Sequence, residues 1–283
     1  DSVKISRGSS ASKDMVFLDG GRFLMGTDDT VGFPADGEGP VREVTISPFY
    51  VDKYAVSNAR FKKFVDSTGY RTESEHFGWS FVFQSYVPQK LMNTEKVRAV
   101  QGLQWWLGVD GARWDRPEGP GSDIKSRMDH PVVHISWSDA AAFCQWARMR
   151  LPTEAEWVYA ARAGTHAAYC NAQQANGANL SCQVPWHLTD IAWYCGNNSP
   201  SGTKVVGGKA PNDWGLWDMA GNVDEWCWDK HCEYNEGNAV DPAVNSCGLS
   251  TQRAKRGGRW SGHAVNCRSA DRDYRTPSSH YGT

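Results

Sequence analysis

The carboxyl end of this 283-residue chain, R256-G-G-R-W-S-G-H-A-V-N-C-R-S-A-D-R-D-Y-R-T-P-S-S-H-Y-G-T283, holds the residues best suited to recognition chemistry. Two kinds of position interleave there. Gly257, Gly258, Trp260, Ala264, Arg268, Ala270, Arg272, Thr276 and Pro277 read as scaffold. The others are Arg259, Ser261, Gly262, His263, Val265, Asn266, Asp271, Asp273, Tyr274, Arg275, Ser279, His280, Tyr281, Gly282 and Thr283. Their residue types can all be reached from an AAC asparagine codon by changing its two adenines, with Arg259 more naturally from AGC. Adenine-directed diversification would leave that trace, so the segment reads as a variable binding surface. Tyr and Arg would supply the anchors of such a surface, and Ser, Gly, Asn and Asp adaptable hydrogen bonds.

Three further sets invite chemistry. D218-M-A-G-N-V-D-E225 offers hard oxygens from the Asp218 and Glu225 side chains and the Gly221 and Val223 carbonyls, a set that suits Ca²⁺. The alternative is a tight turn in which Asn222 hydrogen-bonds the backbone. His130 and His134 stand four apart; the reading of one packed and one surface histidine is preferred to a metal pair. Eight cysteines lie at 144, 170, 182, 195, 227, 232, 247 and 267. None forms C-x-x-C, so no zinc site is expected. The even count permits disulfides, with the Cys170/Cys182 and Cys227/Cys232 spacings the first candidates.

These residues must be held by a loop-rich frame. A hairpin is predicted over 14–26, turning at Gly20-Gly21, and strand over 41–52. A helix follows Ser57 and ends at Gly69. Residues 72–130 read as mostly irregular, anchored by Trp79, Trp105, Trp106 and Trp114. A short strand over 130–137 leads into a helix over 137–149, opened by a Ser136/Asp139 capping box; Thr153 and Glu156 open another, ended by Gly164.

Net charge is −2 and the pI about 6.5, which argues against nucleic acid or an anionic membrane as partner. No stretch has the apolar length of a membrane span. Residues 1–14 read as a flexible tether, compatible with an N-terminal lipid anchor. Residues 15–283 read as one domain, with the variable region at about 256–283.

M25-G26, the Ser57 helix, Y70-R-T-E73, F77-G-W-S-F-V-F83, W105-W106, H130-P-V-V-H-I-S-W137, R150-L-P-T-E-A-E-W157, G215-L-W-D-M-A-G-N-V-D-E-W226 and R256-G-G258 occur in one order. Together they resemble the formylglycine-generating enzyme (sulfatase-modifying factor) family. The resemblance implies an irregular α+β domain of the C-type-lectin-like sort, and structural calcium at Asp218, Gly221, Val223 and Glu225. Enzymes of the family oxidise a client cysteine with two nearby cysteines and copper. Here Gly262 stands where the first of those cysteines belongs, and only Cys267 remains after the glycine pair. One thiol cannot make a cuprous bis-thiolate site, so no copper and no catalysis are expected. The C-terminal segment resembles instead the variable proteins of diversity-generating retroelements. That likeness implies a monomeric, non-catalytic protein at a bacterial cell surface, as an outer-membrane lipoprotein or secreted, recognising varied proteins or surface ligands on other cells. The alternative is a formylglycine-generating oxidoreductase, or an inactive paralogue, that binds sulfatase cysteine peptides.

Overall fold

The structure, a computed structural model, describes residues 13–100, 102–169, 181–182, 188–234 and 237–282. Most of the expected tether, Cys170 and Thr283 lie outside the described residues.

The amino-terminal strands pair differently from a hairpin. Strand β1 (Met15–Leu18) lies antiparallel to β4 (Phe49–Asp52), while β2 (Gly21–Met25) pairs with β3 (Arg42–Ile46). The Gly20-Gly21 turn thus passes the chain from one sheet to another. Gly20 has φ 72°, and a Cβ there would sit 2.3 Å from the Ile46 carbonyl oxygen, so a side chain is excluded.

Helix α1 (Asn58–Thr68) begins where Ser57 Oγ accepts the Arg60 N–H and stops at Gly69 in the left-handed region. The short α2 (Glu73–Phe77) leads into β5 (Trp79–Phe83), β6 (Val97–Val100) and β7 (Leu103–Asp110). These three form an antiparallel sheet in the order β5-β7-β6, so the segment expected to be irregular is built on strand pairing. Trp106 and Trp114 are buried, but Trp105 is 63% exposed. Residues 130–137 form no strand; only an isolated bridge joins Pro131 to Ser57. His134 is buried at φ 61°, its Nδ1 bonded to Ser80 Oγ, and His130 pairs with Thr203, so the two histidines share no site.

Helix α3 (Trp137–Trp146) opens with the Ser136/Asp139 capping box and is shorter than expected, because the chain turns into the left-handed region at Arg148. Every residue of α4 (Glu154–Arg162) is buried. This helix packs against β2, β3, β8 (Glu225–Lys230) and β10 (Arg253–Arg256) and centres the main apolar core. Strand β9 (Ala239–Val240) runs parallel to β3, and β11 (Asp273–Arg275) completes the sheet β11-β10-β8. The architecture is mixed α+β and loop-rich. Among the described residues no helix is long and apolar enough to cross a membrane.

Candidate redox and metal centre

Buried charge fixes the C-terminal segment to this frame. Glu154, the first residue of α4, accepts from Arg256 Nε at 3.0 Å and from Arg272 Nε and Nη2 at 2.9 Å. Burial alone would raise its carboxyl; the two guanidiniums overcome that and hold it at about 2. Arg268 makes a two-armed pair with Glu38 at 2.8 and 2.6 Å. Such planar pairs set orientation as well as charge balance.

Between these anchors three loops meet through their backbones. The Asn222 N–H donates to the Trp193 carbonyl at 2.8 Å, and the Trp260 N–H to the Asn222 carbonyl at 2.9 Å. The Cys195 N–H donates to the Gly262 carbonyl at 3.0 Å, and the Ala264 N–H to the Ser181 carbonyl at 3.4 Å. The chain can close this tightly because Gly196 has no side chain: a Cβ there would lie 2.6 Å from the Cys182 carbonyl oxygen.

The result is a cluster that no single stretch of sequence contains. The sulfurs of Cys182 and Cys195 and a ring nitrogen of His263 all lie within 4.8 Å of one another. The two sulfurs are joined, with Cα atoms 5.1 Å apart. Cys182 and His263 are exposed, whereas Cys195 is half-buried. In this oxidation state the cluster is a disulfide beside an imidazole. Reduced, it is two soft thiolates and one imidazole, a donor set that fits Cu(I). Among the described residues it is the one group of three such side chains placed to hold a metal.

The disulfides differ from the first candidates: Cys182 pairs with Cys195 and Cys232 with Cys247, while Cys227 is a buried thiol. Cys267 is also buried.

Residues 4–282 match the model of the sulfatase-modifying factor enzyme 1-like domain. The chain belongs to that family. It is similar to a formylglycine-generating enzyme of Thermomonospora curvata, 44% identical over 279 residues covering 95% of this chain and 90% of the relative. It is also similar to an inactive C-alpha-formylglycine-generating enzyme 2 of Bos taurus, 47% identical over 223 residues covering 77% of this chain and 71% of the relative. Treponema denticola variable protein 1 superposes with a TM-score of 0.60 at 23% identity, covering 95% of this chain and 92% of that one. At that identity the likeness shows the fold alone.

The expectation of a non-catalytic binding protein without copper is corrected by these findings. It rested on Cys267 as the one thiol left after the glycine pair. Family membership comes with two sulfurs and an imidazole brought together from residues 182, 195 and 263, so the ground for excluding redox chemistry and a soft metal is gone. The readings of the C-terminal segment as a diversified surface and of residues 218–225 as a calcium site find no support in them either.

Burial shows how the supposed variable positions are tied down. Gly262, Val265, Asp271 and His280 are buried. Arg259 and Asp273 belong to an ion-pair group with Asp224 and Lys255, and Arg275 pairs with Asp273. Tyr274 stacks on His231 with ring centroids 4.0 Å apart, and Tyr281 on Phe81 at 4.4 Å. Ser261, Asn266, Ser279 and Gly282 are half-buried; His263 alone of the described set is exposed.

The two carboxylates proposed as calcium ligands find protein partners. Asp218 Oδ2 accepts the Gly207 N–H at 2.7 Å, and Glu225 Oε2 accepts the Trp157 indole N–H at 2.8 Å. Asn222 accepts the Lys204 N–H and donates to its carbonyl, and Gly221 has φ 80°. This is the tight-turn alternative. Burial pushes Glu225 up to about 7 and also raises Asp218.

Proposed function

We propose that the chain is an oxidoreductase of the formylglycine-generating kind, acting on the cysteine of a client peptide. The observation that carries this reading is the Cys182–Cys195–His263 cluster on a fold of this family. Cys182, Cys195 and His263 would hold copper once the disulfide is reduced, and copper there supplies one-electron chemistry with dioxygen.

The protein's own residues set the rest. Cys182 presents the open sulfur; Cys195 is braced from behind by its bond to Gly262. An incoming cysteine thiolate can attack Cys182 Sγ, forming a mixed disulfide while the Cys182–Cys195 bond breaks and Cys195 leaves as thiolate. His263 is placed to take the proton of the incoming thiol. Disulfide and bis-thiolate are exclusive states of one pair, so a reductant must open the site before a metal enters. Two disulfides among the described residues favour an oxidising compartment, and export belongs to this reading.

The test is incubation of a C-x-P-x-R peptide with copper, dioxygen and a thiol reductant, with conversion read by the mass loss of aldehyde formation. Wild type converts the peptide; Cys182→Ser and Cys195→Ser do not. An unreactive, copper-loaded wild type, or an unimpaired Cys182→Ser variant, would sink the reading.

A further inference from the structure

A cavity of about 470 Å³ lies apart from the cluster, enclosed by β4, α3, the start of α4 and the 217–226 segment. Its walls are largely apolar and include Val51, Val56, Phe143, Leu151, Trp217 and Trp226. The volume is that of a small-molecule site. None of Cys182, Cys195 and His263 lines it.

Charge distribution along the lining selects the kind of guest. Most ionic groups there are already matched. Arg150 holds Glu156 with two bonds of 2.6 Å, Lys255 holds Asp224 at 2.8 Å, and Asp52 is paired with Arg60. Glu225 Oε2 receives the Trp157 indole N–H at 2.8 Å. Arg148 is the exception: it is exposed, and among the described residues it has no ion-pair partner. It sits just beyond the end of α3 in the left-handed region, at φ 57°. Arg148, Arg150 and the exposed ring of Tyr50 mark the mouth.

We infer that this cavity binds an amphipathic monoanion, a medium-chain carboxylate, with its tail among the apolar walls and its head on Arg148. The match is apolar depth closed by a single unspent cation. A cationic head would meet Arg148 as a like charge, and a neutral head would leave the guanidinium unused.

Calorimetric titration of the whole chain with decanoate, at about pH 6 and below its micelle concentration, tests this. One saturable site is expected, tightening about fourfold per added methylene from octanoate to dodecanoate. Decylammonium should bind at least tenfold more weakly. Arg148→Glu should weaken decanoate at least tenfold and leave peptide conversion unchanged; being exposed, the position tolerates exchange. A second variant, Val56→Trp, fills the cavity and should abolish binding. Absence of saturable binding, equal affinity for decylammonium, or an unchanged Arg148→Glu affinity would each overturn the inference. Peptide conversion is read separately, so neither reading stands or falls with the other.

Discussion

At the scale of the residue, His263 separates chemistry from structure. Its side chain is exposed, and its backbone N–H is bonded by Asn266 at 3.2 Å whatever the side chain is. His263→Ala should therefore keep the melting temperature, within the roughly ±0.5 kcal/mol of ordinary surface exchanges. It should lower kcat/KM on the cysteine peptide by about 10²–10⁴-fold, the usual span for a positioned proton acceptor. Steady-state kinetics beside a thermal melt distinguishes the two; a variant with full activity would remove the imidazole from the mechanism. His263 was visible in the sequence as a chemically capable residue, but its partners were not. Cys182 and Cys195 carry no C-x-x-C spacing and stand far upstream of R256-G-G258. What joins them to His263 is a set of backbone bonds from Cys195 to Gly262 and from Ala264 to Ser181, which no side-chain pattern encodes.

At the scale of the element, local signals and tertiary pairing were unequally legible. The caps at Ser57, Ser136 and Thr153 are short-range hydrogen bonds, and each helix starts where its cap says. Strand partners depend on distant residues, so β1 and β2 pair with β4 and β3 instead of each other, and the β5-β7-β6 sheet lies in a segment whose sequence reads as irregular. Helix α4 shows the cost of its position. Its first residue, Glu154, is buried between Arg256 and Arg272. Glu154→Gln leaves two guanidiniums short of their counter-charge and should destabilise the fold by about 3–5 kcal/mol. The pH signature follows from the sign of the shift. The folded carboxyl stands at about 2 against an ordinary 4.5, so the folded state favours the ionised form. Its contribution, on the order of 3 kcal/mol, is complete above about pH 4.5 and is lost as pH falls toward 2. Urea denaturation across that window should show a steep loss in wild type and a shallower one in Glu154→Gln; parallel curves would refute the assignment.

At the scale of the molecule, two disulfides of similar span serve different ends. Cys182–Cys195 closes a separation of 13 residues beside an exposed imidazole, while Cys232–Cys247 closes one of 15 and, among the described residues, forms no such three-ligand cluster. Chain-entropy reasoning gives both loops about 3 kcal/mol of stabilisation, because closure restricts the unfolded ensemble to nearly the same extent. Stability alone cannot tell them apart, and function should. The double variant Cys232→Ser/Cys247→Ser should lose roughly 6–12 °C of melting temperature, as expected for a chain of this size, yet convert the cysteine peptide at the wild-type rate below its transition. Cys182→Ser/Cys195→Ser should lose a similar amount of stability and all conversion. A mild thiol reductant should attack the Cys182 sulfur, the exposed member, and set Cys195 free first as thiolate, and mapping of alkylated cysteines would show the order. If both double variants keep their activity, the bond between residues 182 and 195 is a brace like its counterpart, and the chemistry of this fold lies elsewhere on the chain.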